Sequence, residues 1–231
     1  SYMIRQNTFS QNDFEGNDKG AAGGDLNDSK WERNAGSVWN WKGNDADGDY
    51  CFEMWNTQGD VYLKQTVEGL HPGKYLVSCK GYSGDGNYES AIAGNNAQLA
   101  YLYAGTTENK VALPSILDGM NKAVGYGRDT NMDKLIPDGC AEAAHFFQMG
   151  CYQAQIIALV GSDGKLELGV YRGGEGVKER DWIVVDNFRL QYLTSDLGLP
   201  EEMYMRNQNT SWAGDKMELV EEGSDEFTRH F

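Results

Sequence analysis

The sequence contains few of the patterns that mark membrane proteins, zinc sites or redox centres. No apolar run approaches the roughly 18 residues that a membrane-spanning helix needs. The N-terminus has no basic segment followed by an apolar one, so either the protein is cytosolic or a leader is missing from this sequence. The cysteines form no Cys-x-x-Cys pair, which favours packed free thiols, with a disulfide as the less favoured alternative. They are Cys51, Cys79, Cys140 and Cys151.

Basic side chains are also scarce. The chain has 20 Lys and Arg against 35 Asp and Glu, which gives a formal net charge of -15. This balance argues against nucleic acid as a partner, because binding phosphates requires a basic surface. A neutral ligand or a cation fits the charge better.

The catalytic patterns that a sequence can reveal are missing. The histidines His71, His145 and His230 are scattered, and there is no Gly-x-Ser-x-Gly elbow or phosphate loop. A glycosidase needs only two carboxylates about 5 to 10 Å apart, so the abundance of acids leaves that activity open. The acids on the predicted long loops form no recognisable pair. We therefore predict that the protein is not an enzyme.

Proline is scarce and glycine abundant, at 4 and 29 residues. With 40% hydrophobic and 12% aromatic residues, this composition is typical of short strands joined by tight turns. The 231 residues are enough to bury one sizeable core. Alternating segments predict an all-β sandwich. The predicted strands are Tyr2–Thr8, Tyr50–Trp55, Val61–Val67, Lys74–Tyr82, Leu99–Ala104, Lys110–Leu113, Tyr152–Val160, Lys165–Tyr171 and Trp182–Leu193.

The last predicted strand has one apolar face and one face that turns polar toward its C-terminal end. Asp186 falls on the apolar face, where a carboxylate is either hydrogen-bonded or bound to a cation, since an unpaired buried charge is too costly. The apolar face is Trp182, Val184, Phe188 and Leu190, and the other is Ile183, Val185, Asn187 and Arg189.

Chain direction predicts where the connections lie. If each connection joins antiparallel neighbours, the short turns at 69–73, 105–109 and 161–164 share one end of the sandwich. The connections Asn56–Asp60, Ser83–Gln98, Pro114–Cys151 and Arg172–Asp181 then share the other end. Long loops in a compact domain commonly carry function. Within the longest, we expect a short helix from Cys140 to Met149, capped by Asp138.

The C-terminal part of the chain is predicted to be separate. Residues 194–200 have the composition of a linker, and the residues after them are too few for a core of their own. We therefore predict a sandwich domain over residues 1–195. Residues 196–231 are then a linker and an appendage, or the start of another domain.

Five segments stand out by their order and spacing: Glu53–Asn56, Lys64–Tyr75, Tyr101–Ala104, Ala144–Phe147 and Asp181–Leu190. Together they resemble the galactose-binding-like jelly rolls of secreted and surface lipoproteins from gut Bacteroidetes. The resemblance spans about residues 13–193 and implies a jelly-roll sandwich, an extracytoplasmic location and glycan binding. It also implies neighbouring domains or polysaccharide-degrading enzymes as partners.

Sugar binding needs flat apolar faces that stack on sugar rings, flanked by polar groups that bind hydroxyls. The predicted long-loop end supplies both, although each aromatic has core or loop packing as its structural alternative. The candidate aromatics are Trp55, Tyr82, Tyr88 and Tyr126. The candidate polar partners are Asn56, Asn87, Arg128, Arg172, Arg180 and Asp181.

Jelly rolls of this kind often bind a structural calcium ion near the start and the end of the domain, so the resemblance also implies a calcium site. Glu15, with Asp13 and Asp18, precedes the fold, and Asp186 lies in its last strand. Carboxylate oxygens are the ligands that calcium prefers. The alternative is that Asp186 accepts protein hydrogen bonds while the N-terminal acids are solvated.

These observations together predict a secreted or surface-anchored, non-catalytic carbohydrate-binding module. Its glycan site is the long-loop end, and its only expected cofactor is structural calcium. The alternative from another class is a structural or protein-interaction domain without sugar binding. A glycoside hydrolase is the least favoured reading.

Overall fold

A computed structural model describes residues 30–41, 49–95, 99–121, 134–175, 177–194, 203–205, 215–219 and 227–228. The chain divides into two compact units, Ser1–Leu193 and Thr194–Phe231. The predicted strand Tyr2–Thr8 lies outside the described residues. Within them, no helix is long and apolar enough to cross a membrane.

The first unit is built from strands and two short α-helices. The strands are β1 (Glu32–Arg33), β2 (Ser37–Trp41), β3 (Asp49–Trp55), β4 (Val61–Val67), β5 (Gly73–Asp85), β6 (Tyr101–Ala104), β7 (Thr106–Ala112), β8 (Gln153–Val160), β9 (Leu166–Arg172) and β10 (Asp181–Thr194). The helices are α1 (Tyr88–Ile92), α2 (Cys140–Gln148) and a 3-10 helix (Ile116–Gly119).

The strands form two five-stranded sheets. Sheet 1 has the order β1-β4-β9-β6-β7, and sheet 2 has the order β2-β3-β10-β5-β8. The all-β jelly-roll sandwich predicted from the sequence is confirmed. Each predicted strand in the described residues overlaps an observed one, whereas β1 and β2 were not predicted.

Strand β4 illustrates how side-chain alternation positions the sheets. Val61, Leu63 and Val67 point between the sheets and are buried, while Tyr62 and Lys64 point to the other side and are half-buried. This period of two is that of a strand with one face in the core. Aliphatic and aromatic side chains from both sheets fill the space between them.

A second hydrophobic cluster covers the outer face of sheet 2. The helices α2 and Ile116–Gly119 pack there over Tyr82 of β5 and Trp182 of β10. The Tyr82 and Trp182 rings lie 5.3 Å apart between centroids, and Tyr152 lies 4.9 Å from Tyr82. The longest connection therefore covers part of a sheet face instead of standing free at the end of the sandwich.

The predicted assignment of residues to the two faces of the last strand is wrong, because the alternation of inward and outward side chains changes phase inside β10. Ile183 and Val185 belong to the core between the sheets, but so does Phe188. Asn187 has φ +52°, and such an irregularity moves the following side chain to the other face, as at a β-bulge. Trp182 consequently faces the helices, and Phe188 faces sheet 1.

The predicted short helix is confirmed as α2, but its predicted cap is wrong. The N-cap residue is Gly139, and no side chain caps the helix. Asp138 instead forms an ion pair with Lys134 at 3.1 Å.

Strand registers place the long connections at one end. Val61 pairs with Arg172 and Val67 with Leu166, so β4 and β9 run in opposite directions. The same alternation holds for β6 with β9 and for β5 with β8. Connections 56–60, 86–100, 113–152 and 173–180 therefore leave from the same end, as predicted, and we call it the loop end.

In the part of the second unit that the structure describes, there are three short strands. They are β11 (Met203–Met205), β12 (Asp215–Leu219) and β13 (Phe227–Thr228). Both pairings, β11 with β12 and β12 with β13, are antiparallel.

The phase change in β10 can be tested by truncating adjacent residues. We expect Phe188→Ala to lower the free energy of unfolding by about 3–5 kcal/mol, because it empties a buried ring site. Arg189→Ala should change it little, because that side chain is exposed. Urea unfolding measures both values, and equal losses would contradict the assigned faces.

Candidate functional site

The loop end is held together by a buried ion pair between Arg172 and Asp181. Neither side chain has exposed surface, and Arg172 Nη1 donates a hydrogen bond to Asp181 Oδ2. Arg172 Nη2 donates to the carbonyl oxygens of Thr57 at 3.3 Å and Gly59 at 2.7 Å. One guanidinium thus joins the end of β9, the start of β10 and the connection between β3 and β4.

The surroundings of this pair indicate a structural role. Burial raises the pKa of Asp181, and the Arg172 guanidinium partly offsets the rise. A buried ion pair must be well bonded to compensate for its desolvation. Both terminal nitrogens of Arg172 are engaged, whereas Arg172 Nε and Asp181 Oδ1 have no hydrogen-bond partner in the described part of the chain. The pair positions the neighbouring loops and presents no surface to a ligand.

Among the described residues of the loop end, Trp55 is the large aromatic side chain with the highest exposure. It is the last residue of β3, and 45% of its surface is accessible. The ring lies against Gly86, where a Cβ atom would come within 1.8 Å of Trp55 Cζ3. Glycine is therefore required for this contact, which holds the indole while leaving part of it exposed.

Polar residues adjoin Trp55 and Gly86: Asn56 follows Trp55, Asp85 precedes Gly86, and the Arg180 carbonyl accepts from the Gly86 backbone N–H at 2.9 Å. Asn56, in the left-handed region at φ +48°, donates its backbone N–H to the carbonyl of Asp181 at 2.8 Å. Its Oδ1 accepts from the backbone N–H of Arg180 at 3.2 Å. The Arg180 side chain is about half exposed, with Nε 3.6 Å from Asp85 Oδ1. We call Trp55, Asn56, Asp85, Gly86 and Arg180 the tryptophan platform.

Asp85 anchors the platform to α1. Its Oδ1 accepts from the backbone N–H of Asn87 at 2.8 Å, and its Oδ2 accepts from Ser90 Oγ. Asn87 in turn caps α1, because its Oδ1 accepts from the Ser90 backbone N–H at 2.9 Å. These bonds fix the chain around Gly86 and hence the surface on which Trp55 rests.

Glu53 lies two residues before Trp55 on the same face of β3. Its Oε1 accepts from Trp182 Nε1 at 2.7 Å. Burial raises the pKa of Glu53, while hydrogen bonds from Trp182 and Cys140 oppose the rise. Cys140 also contacts Cys51, and this hydrogen bond together with burial raises the pKa of the Cys51 thiol. All four cysteines of the chain are free thiols in this structure.

The structure separates the predicted sugar-binding residues into exposed and buried ones. Trp55, Asn56 and Arg180 are exposed and adjacent. Tyr82, Arg172 and Asp181 are at most 1% exposed, which corrects their assignment as ligand contacts. Tyr82 is buried because the connection before β8 packs over it, and the other two because they pair with each other. Tyr126 and Arg128 lie outside the described residues.

Tyr88 is engaged in local packing at the start of α1. The Nζ atom of Lys134 lies 4.0 Å from its ring centroid, and its hydroxyl accepts from the Leu135 backbone N–H at 3.1 Å. Tyr88 is half-buried against the second hydrophobic cluster. Its ring therefore braces α1 against the chain at 134–135.

Asp186 is fully buried, as predicted. Its two oxygens accept from the backbone N–H of Asn187 at 2.6 Å and from Asn187 Nδ2 at 2.8 Å. Among the described residues, no group of three or more His, Cys, Asp and Glu could hold a metal ion. Glu15 lies outside them, so the calcium site remains a prediction.

Sequence reasoning missed two residues that build the platform. Gly86 has no side chain to attract notice, and only the close approach of the Trp55 ring reveals its role. Asp85 was hidden among many acids of a strongly acidic chain. The Asp-Gly-Asn run at 85–87, before a helix, is the signal that could have indicated a capped, tightly packed loop.

No protein-family model matches this sequence, and no curated protein matches it. Several solved structures are similar in fold. TmCBM61, solved in complex with β-1,4-galactotriose, is 15% identical with a TM-score of 0.37, over 71% of this chain and 88% of TmCBM61. The cleaved adhesin domain of Lys-gingipain from Porphyromonas gingivalis is 13% identical with a TM-score of 0.35, over 71% and 92%.

An enzyme domain is also among these structures. The enzymatically active domain of tailspike protein 4 from bacteriophage CBA120 is 11% identical with a TM-score of 0.40. That match covers 80% of this chain but 21% of the tailspike chain. At such identities the likeness concerns the fold alone and assigns neither a ligand nor an activity.

The support that Gly86 gives to Trp55 can be tested by adding one methyl group. We expect Gly86→Ala to displace the indole, because the new Cβ would overlap the ring. The indole N–H resonance of Trp55, assigned with Trp55→Phe, should shift in a ¹H–¹⁵N spectrum. Gly161→Ala is the control, since its nearest atom would be 3.6 Å away. An unmoved Trp55 resonance in Gly86→Ala would contradict the contact.

The buried ion pair should contribute far more to the free energy of unfolding than an exposed ion pair. We expect Asp181→Asn to lower the free energy of unfolding by about 3–5 kcal/mol, because it leaves the Arg172 charge buried without its partner. Glu68→Gln breaks the exposed ion pair with Lys165 and should have little effect, since solvent screens that pair. Denaturant unfolding compares them, and a small loss in Asp181→Asn would refute the structural role.

Proposed function

We propose that the first unit is a non-catalytic carbohydrate-binding domain of a secreted or surface protein, which binds glycan on the tryptophan platform. The observation that carries the proposal is the exposed Trp55 ring held against Gly86. A fixed, partly exposed indole is suited to the C–H-rich face of a sugar ring, because an aromatic face binds such surfaces without needing its own hydrogen bonds.

The polar groups beside Trp55 suit sugar hydroxyls. The Arg180 guanidinium is partly solvated and offers N–H donors. The Asn56 side chain is exposed, and its Nδ2 donates to no described residue. Donors beside an aromatic face are the combination by which a protein orients a hydroxylated ring.

The platform is open and made of few residues, so we expect weak binding. A shallow site removes little ligand surface from water, and hydroxyl groups must exchange water for protein partners. The proposal therefore predicts millimolar to micromolar affinity for a single short oligosaccharide, with tighter binding to a polymer that offers many copies of the epitope.

A non-catalytic role is supported by the hydrogen bonds and ion pairs that the nearby carboxylates form. Asp85 accepts from Asn87 and Ser90, and Asp181 pairs with Arg172. Glu53 accepts from the Trp182 indole. Each is engaged in holding the loop end, whereas a hydrolase needs two carboxylates directed at one glycosidic bond.

An extracytoplasmic location belongs to the same proposal, since polysaccharide ligands lie outside the cytoplasm. Assignment to surface lipoproteins of Bacteroidetes remains a prediction from sequence segments. The competing protein-interaction function would require a broad apolar patch at the loop end. Among the described residues of that end, Trp55 and Leu99 are the large apolar side chains with high exposure.

A glycan array of plant, host and microbial polysaccharides, with and without calcium, tests the proposed function, followed by calorimetry on the glycans that bind. We expect Trp55→Ala to weaken binding at least about tenfold, because it removes the stacking surface. Leu159→Ala is the matched control, an exposed apolar truncation on β8. Failure of every glycan to bind, or equal weakening by both variants, would overturn the proposal.

A further inference from the structure

A polar groove of 340 Å³ lies on the outer face of sheet 2, beside the C-terminal end of α2. Its volume falls within the range of small-ligand sites in proteins. It shares no residue with the tryptophan platform. The side chains that matter here are Ser78, Lys80, Gln148, Gln153, Asn187 and Arg189.

The end of α2 forms one wall of the groove. The backbone N–H of Gly150 donates to the Phe147 carbonyl, and that of Cys151 donates to the Phe146 carbonyl, both at 3.0 Å. This is a Schellman motif, and Gly150 takes the φ of +84° that it requires. The helix therefore stops abruptly and leaves the outer face of sheet 2 uncovered beyond Gln148.

Strand pairing forms the floor. Lys80 of β5 pairs with Gln153 of β8, which places them side by side at the foot of the groove. The phase change at Asn187 directs Arg189 of β10 to the same outer face, because Phe188 is turned inward. Three separate strands thus contribute to one polar surface.

The groove is cationic in a strongly acidic protein. The chain carries a formal charge of -15, yet the charged side chains lining the groove are Lys80 and Arg189. Neither forms an ion pair with any residue in the described ranges. The adjacent Asp186 is buried, and its oxygens accept from Asn187. The two cations are therefore available to an external anion.

We propose that this groove binds a carboxylate-bearing saccharide, a uronic acid unit of an acidic glycan. The planar guanidinium of Arg189 matches a carboxylate geometrically, and the Lys80 ammonium adds a second charge-assisted bond. The amides of Gln148 and Gln153 and the Ser78 hydroxyl supply donors and acceptors for the sugar hydroxyls. A carboxylate on a hydroxylated ring uses both kinds of group.

The probes that test this site are methyl glucuronide and methyl galacturonide, with their neutral methyl glycosides as matched comparators. Binding is followed by ¹H–¹⁵N chemical-shift titration. We expect the uronides to shift resonances of Lys80, Gln153 and Arg189, and the neutral glycosides to bind at least about tenfold more weakly. Added salt should weaken the binding of the uronides, because the contact is ionic.

Three variants decide which residues are responsible. Arg189→Gln and Lys80→Gln should each weaken uronide binding about tenfold, the loss expected for one charge-assisted hydrogen bond. Lys74→Gln removes a lysine from the same strand outside the groove and should leave binding unchanged. Equal binding of neutral glycosides, absence of uronide shifts, or equal weakening by Lys74→Gln would overturn the proposal.

The test separates this groove from the tryptophan platform. Trp55→Ala should leave uronide binding intact. Loss of uronide binding in Trp55→Ala, with no change in Arg189→Gln, would assign the acidic sugar to the platform and refute the groove. If no neutral glycan binds on the array but uronides still shift the groove resonances, the proposal for the groove is supported and the one for the platform is refuted.

Discussion

The loop end depends on one buried guanidinium. Arg172 bonds to Asp181 and to two carbonyl oxygens of the connection between β3 and β4, so it joins the end of a sheet 1 strand, the start of a sheet 2 strand and the chain between them. Asn56 and Arg180, the residues flanking those segments, both have positive φ values that an isolated chain would avoid. Arg172 bonds to the carbonyls of Thr57 and Gly59, close to Asn56, and to Asp181, which follows Arg180. Loss of either partner would leave a lone charge in a dry interior, which is costly. Trp55 and Arg180 are positioned as a consequence.

The outer face of sheet 2 has two regions, one packed against helices and one exposed. On the part nearer the loop end, Tyr82, Trp182 and the aromatic side chains of α2 form a second core, which fixes α2 against the sheet. Farther from the loop end, α2 stops at its Schellman motif, and the outer face beyond it is exposed. Asn187 marks the division within β10, because the strand reverses its inward and outward faces there. This local irregularity lets β10 contribute Trp182 to the packed region and Arg189 to the polar groove.

Sequence alternation predicted the strands β3 to β10 of the sandwich but missed β1 and β2. Through chain direction it also predicted the end at which the long connections gather. It also singled out Trp55, Asn56 and Arg180, which the structure places side by side at exposed positions. It failed where the answer depends on tertiary contacts: Tyr82 reads like any loop-end aromatic until Phe147 and Tyr152 are packed against it. The partnership of Arg172 with Asp181 was likewise invisible, since both residue types are usually exposed. The change of phase at Asn187 breaks the period on which the prediction of the two faces rested.

We propose that the glycan-binding surface is the face of Trp55 turned away from Gly86. The decisive measurement is a crystal structure of the protein with a saccharide selected on the glycan array. We expect a sugar ring stacked on that face of the indole, with hydroxyls bonded to Arg180 and Asn56. A sugar bound elsewhere, with the Trp55 ring uncovered, would refute the proposed site.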